Sequence, residues 1–451
     1  MRDLLVLSFL VAFLPLALRS PLCAFLLWSW GGMIAIQSHV YGFMLSVPVV
    51  QLFALISLVQ LVMTRRGGQT AYWGGGTSII MLLLILHGLM CALLAYSGLP
   101  RNWELFSNMA KTVLLCLIIP VFLTSRERLN IYVILIAISV SFHGMLDGLK
   151  YLSSAGNHNA HGIPKFGDNN HYAIVLLMVI PLLIYVGRHA ERWLLRWGVI
   201  AVGLLTFLAV LATNSRGGLL SLIVMGLWLI MLSKRKLVGM ALAAMLAMLV
   251  VQLAPDRWFD RMDTIKEAND DDSFMGRVTA WKRASAIAVE NPVFGGGYHA
   301  GQFDGIFDRF RYEPGLLGFV ETPDVSYAAA THSIYFEVLG DQGFVGLLLF
   351  VALLGNAFYN WWRIRRLARK NPLQLGWAHS LADMLSACLL VYAVGGAALS
   401  AAYFELPYYL VMLLQMVWVQ VRDHASHSAA PNLALRRPQA HTAHAQPSDT
   451  P

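Results

Sequence analysis

Two arginines and a histidine stand where apolar sequence gives way to polar sequence: Arg216 in Asn214-Ser215-Arg216-Gly217-Gly218, Arg277 in Gly276-Arg277-Val278-Thr279-Ala280-Trp281, and His332 in Thr331-His332-Ser333. A guanidinium is a planar fork of donors that fits two phosphate oxygens at once and keeps its charge when partly desolvated. An imidazole, with an ordinary pKa of about 6.5, can take a proton from a hydroxyl near neutral pH. Phosphate recognition beside proton abstraction is the chemistry these types offer together. Singly, each has a plainer reading: an arginine at a span end is commonly a snorkelling anchor, and a lone histidine a satisfied surface group. The sequence has no Gly-x-x-x-x-Gly-Lys-Ser nucleotide loop, which fits an energy source already stored in a substrate.

Such residues need elements to hold them, and composition says what kind. Of 451 residues, 57% are hydrophobic and only 13% charged, with a mean hydropathy of +0.60. A soluble domain carries roughly 25% charged residues, so this chain lacks the polar cover for water, and it is too apolar for disorder. It reads as all-α and polytopic in a membrane. The excess of 33 Lys and Arg over 25 Asp and Glu gives +8. That surplus collects between apolar runs, at Arg65-Arg66, Arg126 with Arg128, Arg188 with Arg192, Lys234-Arg235-Lys236 and Arg363 through Lys370. Clusters of this kind stay on the cytoplasmic side, so the basic balance reports topology and not nucleic-acid binding. The four cysteines, Cys23, Cys91, Cys116 and Cys388, lie inside apolar runs without CxxC spacing, which argues against disulfides and a zinc site.

A membrane span takes about 20 apolar residues. From Met44 onward the sequence predicts spans at Met44–Thr64, Thr77–Ser97, Phe106–Thr124, Leu129–Leu149, His171–Arg188, Leu194–Thr213, Gly217–Ser233, Leu237–Ala254, Gly343–Trp362, Leu381–Ala402 and Phe404–Val421. The basic connections then fall on one side, with the C-terminus in the cytoplasm. Leu4–Leu18 and Leu22–Ser38 are each short, and cross once between them or once each. The expected total is therefore about twelve, between eleven and thirteen; a cleaved signal peptide is the third option for this end. Four regions result: an N-terminal bundle over 1–254, a periplasmic loop region over 255–342, C-terminal spans over 343–422, and a disordered cytoplasmic tail over 423–451. The loop is too aromatic for disorder. A helix capped by Ser273 is expected through about Glu290, with Phe274, Val278, Trp281, Ser285 and Ala288 on one face, before Gly295-Gly296-Gly297 breaks the chain.

Ser215-Arg216-Gly217 between spans, a Gly276-Arg277 to Trp281 helix in a large outer loop, and His332-Ser333 at the head of a helix ending Gly340-Asp341-Gln342-Gly343 together resemble the O-antigen ligase and polymerase superfamily. The stretch Lys165-Phe166-Gly167-Asp168-Asn169-Asn170-His171 is similar to the Gly-x-Asp-x-Asn segment that opens a span in that family. The resemblance covers roughly Gly162 to Trp362 and is strongest to ligase-type members, including those described as exosortase-associated O-glycosylation ligases. It implies an inverting, metal-independent glycosyltransferase of lipopolysaccharide biosynthesis, with no cofactor. The donor would be a glycan on undecaprenyl pyrophosphate, the acceptor the lipid A–core oligosaccharide, and the place the periplasmic face of the bacterial inner membrane, among membrane lipids. Arg216 and Arg277 would hold the pyrophosphate and stabilise charge on its bridging oxygen, and His332 would be the general base. Lys165, Asp168, Tyr298, His299 and Tyr335 would contact phosphate or sugar, and an apolar groove between spans would take the polyprenyl chain. O-antigen polymerases and protein O-oligosaccharyltransferases share this donor and differ in acceptor.

Other readings compete. Asp270-Asp271-Asp272 could bind a metal, but acidic residues just before Ser273 also favour a helix N-terminus. His158, His161 and Asp168 could form a second metal cluster, although their Asn- and Gly-rich loop has no helical spacing. A polyprenyl-linked glycan transporter would need paired charges near the midplane and inverted repeats; the mid-span candidates are Lys111, His87, His143 and Glu405, with Lys111 read as interfacial or structural.

Overall fold

The computed structural model describes residues 2–63, 75–96, 98–253 and 272–434, and among these all regular structure is helical. Two helices open the chain, α1 (Arg2–Arg19) and α2 (Pro21–Ile34), parted at Ser20, whose Oγ accepts the Cys23 N–H at 3.3 Å while Pro21 takes the first helical position. The bundle continues with α3 (Val49–Met63), α4 (Gly76–Leu93), α5 (Asn102–Phe122), α6 (Arg126–Ser153), α7 (Asn169–His189), α8 (Trp193–Ala212), α9 (Arg216–Leu232) and α10 (Lys236–Leu253). The long connection holds α11 (Asp272–Glu290) and the short α12 (Asp304–Phe310). Last come α13 (Ile334–Ala368), α14 (Pro372–Gly395) and α15 (Glu405–Ala434).

Each span expected from Met44 onward coincides with one of these helices. Seven helices, α4 to α8, α13 and α14, are long and apolar enough to cross a membrane, and α2, α3, α9 and part of α10 are shorter apolar helices. With 14 residues, α2 rises only ~21 Å. Helix α7 is central and nearly wholly buried, packed on α6, α8, α9 and α14. Lipid-side residues such as Leu194, Trp197, Leu220, Leu242 and Met245 are exposed on the outer helices, where hydrocarbon and not water is the fitting solvent. Helices α6 and α8 meet at Gly148: a Cβ there would lie 2.0 Å from the Leu205 carbonyl oxygen, so only glycine lets the two backbones close.

Three helices differ most from expectation, among them α14, which covers Pro372–Gly395 where Leu381–Ala402 is expected. Helix α13 begins at Ile334 and not at Gly343; it is two helices in sequence, broken at Gly343 (φ 68°, ψ −169°). The final helix runs on to Ala434, into the stretch expected as tail, and residues 435–451 lie outside the described residues. The expected loop helix is present as α11, with Val278, Ser285 and Ala288 buried and Phe274 more exposed; it begins at Asp272, so Ser273 stands inside it and is not its cap.

Candidate active site

At one end of the bundle the heads of α7 and α9 are tied together. Asp168 caps α7, its carboxylate accepting the His171 N–H at 2.8 Å. The next two residues work sideways: Asn169 Nδ2 donates to the Thr213 carbonyl at 2.8 Å, and Ser215 Oγ donates to Asn170 Oδ1 at 2.7 Å. Asn214, with a left-handed φ of 51°, donates to Asn159 Oδ1 at 3.1 Å, and Ser215 caps α9 by accepting the Gly218 N–H at 3.0 Å. Arg216 is thereby delivered half-buried as the first residue of α9, next to the Ser215 that ties this head to α7. Helix N-termini carry partial positive charge and unsatisfied N–H groups, so two of them side by side favour an anion.

The segment before α13 reaches the same corner. Helix α11 holds it: Trp281 Nε1 donates to the Thr331 carbonyl and an Arg283 nitrogen to the Ala329 carbonyl, each at 2.6 Å, while the Trp281 ring stacks on Phe336 at 5.1 Å. His332 follows in a left-handed conformation (φ 43°), with its backbone N–H on Ser400 Oγ at 2.9 Å. Burial, and then the charge of Arg277, push its pKa down, while Asp168 and Glu337 pull the other way. Asp168 and Arg277, far from it in sequence, thus both act electrostatically on His332. The net depression favours the neutral imidazole, the form that can accept a proton.

A second cluster lies just below, and of its members the sequence reading singled out only His299. Glu337, 4% exposed, accepts from His299 Nε2 at 3.2 Å and from the Ala402 N–H at 2.9 Å. Asp341, one turn further on, accepts the His299 N–H at 3.0 Å and the Tyr403 hydroxyl at 2.9 Å. Burial works against a charged His299, but the Glu337 hydrogen bond and the nearby carboxylate charges outweigh it, and its pKa is raised. The cluster depends on a backbone-to-backbone fit: the Gly296 and Gly297 N–H groups donate to the carbonyls of Gly340 and Asp341 at 2.9 and 3.0 Å, and Phe344 N–H to that of Pro292 at 2.8 Å. Two carboxylates four residues apart at a span head were the available sequence signal.

A cavity of about 940 Å³ opens beside this cluster, between α2, α3, α5 and α15. Among the expected substrate contacts, Lys165 and His299 line it, and Lys165 pairs with Glu405 and the Gly32 carbonyl. Ser400 also lines it, which puts His332 one hydrogen bond from the wall. Tyr298 is 1% exposed, with its hydroxyl on Met109 Sδ at 3.4 Å, and Tyr335 donates to the Ala393 carbonyl at 2.8 Å, so both are engaged in packing. His158 faces Asp147 at 3.0 Å. Asp270 and Asp271 lie outside the described residues.

Residues 201–351 match the family described as O-antigen ligase, and residues 1–191 match a family of unknown function. No curated protein matches the chain. Arg216, Arg277 and His332 all fall inside the first match, so the corner they occupy lies in the part of the chain that is similar to the O-antigen ligase family.

Proposed function

We propose that this protein is an O-antigen ligase that moves a glycan from undecaprenyl pyrophosphate to a hydroxyl of the lipid A–core oligosaccharide at the periplasmic face of the inner membrane. The observation that carries the reading is the corner where His332, under the charge of Arg277 and Asp168, stands beside the tied heads of α7 and α9. In the proposed step His332 takes the acceptor hydroxyl proton as its oxygen attacks the anomeric carbon. The bond from that carbon to the pyrophosphate oxygen breaks, and the departing charge rests on Arg216, Arg277 and the helix N-termini. One displacement inverts the anomeric centre and needs neither a covalent sugar–enzyme species nor a metal.

The testing experiment is transfer by purified, folded His332→Gln with donor binding measured alongside. Turnover should fall by roughly 10²–10⁴, the usual worth of a positioned base, with binding retained. Near-normal turnover removes His332 as base, and a retained anomeric configuration in the wild-type product removes single displacement. Transfer should continue in excess EDTA. A deletion strain separates the acceptors: glycan lost from lipid A–core supports ligation, whereas glycan lost from proteins, or a change in chain length alone, redirects the assignment to a protein O-oligosaccharyltransferase or a polymerase.

A further inference from the structure

We infer that the groove between α7, α8 and α10 binds an anionic phospholipid, its acyl chain lying along the groove and its phosphate meeting Arg188 and Arg196. The groove has a volume of about 590 Å³ and lies toward the end of α7 opposite Asp168 and the His332 corner. Its walls are apolar along most of their length, with Ile180, Leu183 and Ile184 from α7 and Val199 and Leu204 from α8. Helix α10 packs on α9 and reaches the groove through Leu246, half-buried where the side chains around it are exposed. Between Arg196 and Phe207 the lining of α8 rises ~16 Å, about half of a ~30 Å hydrocarbon core. The groove is therefore one leaflet deep, the reach of an ordinary acyl chain. Open to the bilayer, it needs hydrocarbon and not water to fill it.

Charge selects the headgroup. Arg188 lies on the last turn of α7 and Arg196 on the first turn of α8, so both line the same end of the groove. Among the described residues neither has a carboxylate partner: Arg196 donates to the Ala190 carbonyl at 3.1 Å, and Glu191, in the turn between the helices, pairs with neither. The lining of the groove contains no acid. The retention of basic clusters on one side of a membrane explains cations in this turn, but not why two of them border one apolar groove. A guanidinium at that boundary suits a phosphate held by two donors, and basic pockets between spans favour acidic headgroups. A zwitterionic headgroup would bring its own cation against the two arginines, and a polyprenyl chain of many units outruns a groove one leaflet deep. Gly203 keeps the path open: a Cβ there would lie 3.9 Å from Leu183 Cδ1, an ordinary contact, so a side chain at this position enters the groove without driving the helices apart.

The test uses the full chain purified in mild detergent, with native mass spectrometry of retained phosphatidylglycerol and phosphatidylethanolamine of matched acyl chains. Wild type should retain phosphatidylglycerol in preference. Arg188→Gln and Arg196→Gln should each weaken its binding roughly 5-fold, and together roughly 10- to 30-fold, the scale of basic residues at an anionic lipid surface. Gly203→Leu should lower binding of both lipids, because it plugs the acyl path and leaves both arginines in place. Arg366→Gln removes a cation stacked on Trp362 outside the groove and should leave lipid binding unchanged. Thermal melting shows that each variant is folded. Equal retention of both lipids by wild type overturns the inference, as does a preference that survives the double arginine variant or falls equally in Arg366→Gln. So does full lipid binding by folded Gly203→Leu. Stronger retention of decaprenyl phosphate, dependent on Arg188 and Arg196, would give the groove to an isoprenoid, and a lipid-free dimer broken by Gly203→Leu would give it to a second copy; either result also overturns the inference.

Discussion

Among the described residues Asn214, His299 and His332 are three of the five non-glycine positions with positive φ, and all three lie at the α7–α9–α13 corner. Such conformations cost of order 1–3 kcal/mol each and persist where surroundings over-determine them; here the Asn159, Asp341 and Ser400 hydrogen bonds do so. For His332 the electrostatics give a prediction with a sign. A base is competent when unprotonated, and burial together with Arg277 lowers the pKa of His332, so the acid limb of kcat/KM should fall below the ordinary histidine pKa of about 6.5. Arg277→Gln removes a positive charge and should move that limb to higher pH by up to about one unit, besides lowering the rate. Arg277→Lys keeps the charge but not the fork, so its limb should stay while its rate drops. A pH–rate profile of the purified variants decides the matter, and an unmoved limb in Arg277→Gln means His332 is not the titrating base. His299 runs the other way: its pKa is raised through Glu337, so the imidazolium persists above its ordinary pKa. In Glu337→Gln the His299 ring should titrate at lower pH, read by NMR of labelled histidine. The same titration point in both proteins would mean that Glu337 does not set the charge of His299.

At the scale of elements, the break at Gly343 is what turns the head of α13 toward the cavity. A Cβ there would lie 2.6 Å from the Pro292 carbonyl oxygen, and one on Gly295 would lie 2.6 Å from the Gly343 nitrogen. Neither neighbour is a flexible side-chain tip. Gly343→Ala should cost at least the 1–3 kcal/mol of a left-handed alanine, visible as a fall of several degrees in unfolding temperature or loss of folded protein. Gly376→Ala, in α14 with open space around its Cβ, should be neutral or stabilise by up to about 1 kcal/mol. Equal melting shifts in the two variants would dismiss the steric argument. This break also marks where sequence stopped being legible. Apolar runs locate the spans because nothing else in a chain this hydrophobic can fill a membrane, and Arg216, Arg277 and His332 stood out as charge at run ends. Glu337 and Asp341 did not, since their purpose shows only when Gly295–Gly297 folds back on Gly340–Gly343. Nor does sequence show Lys111 on a cavity wall, since helices remote in the chain make that wall. Tyr298 and Tyr335 are expected as sugar contacts because they lie in outer segments, and that position alone does not disclose the packing of Tyr298 on Met109 or the Tyr335 hydrogen bond to the Ala393 carbonyl.

For the molecule as a whole, the proposed chemistry requires that the corner holding His332 face the periplasm, where the donor glycan is presented. Physical support comes from charge asymmetry: Lys234-Arg235-Lys236 and Arg363 through Lys370 lie at helix ends remote in the chain from the α11–α13 connection, and basic clusters of short connections stay inside. Cysteine labelling with a membrane-impermeant maleimide tests the orientation directly. The native background is small, because Cys91, Cys116 and Cys388 are buried and only Cys23 is partly accessible, so Cys23→Ser supplies a quiet parent. Ser326, exposed in the α12–α13 connection, and Ser233, half-buried between α9 and α10, are the two reporters. Ser326→Cys should label in intact cells, and Ser233→Cys only after the membrane is permeabilised. Both reporters labelling from outside would mean that the α9–α10 turn is not cytoplasmic, leaving the span count between them wrong. The inverted pattern, Ser233→Cys outside and Ser326→Cys inside, would be fatal to the site assignment. Arg216, Arg277 and His332 would then face a compartment where the lipid-linked glycan is not presented, and the same corner would have to serve cytoplasmic chemistry.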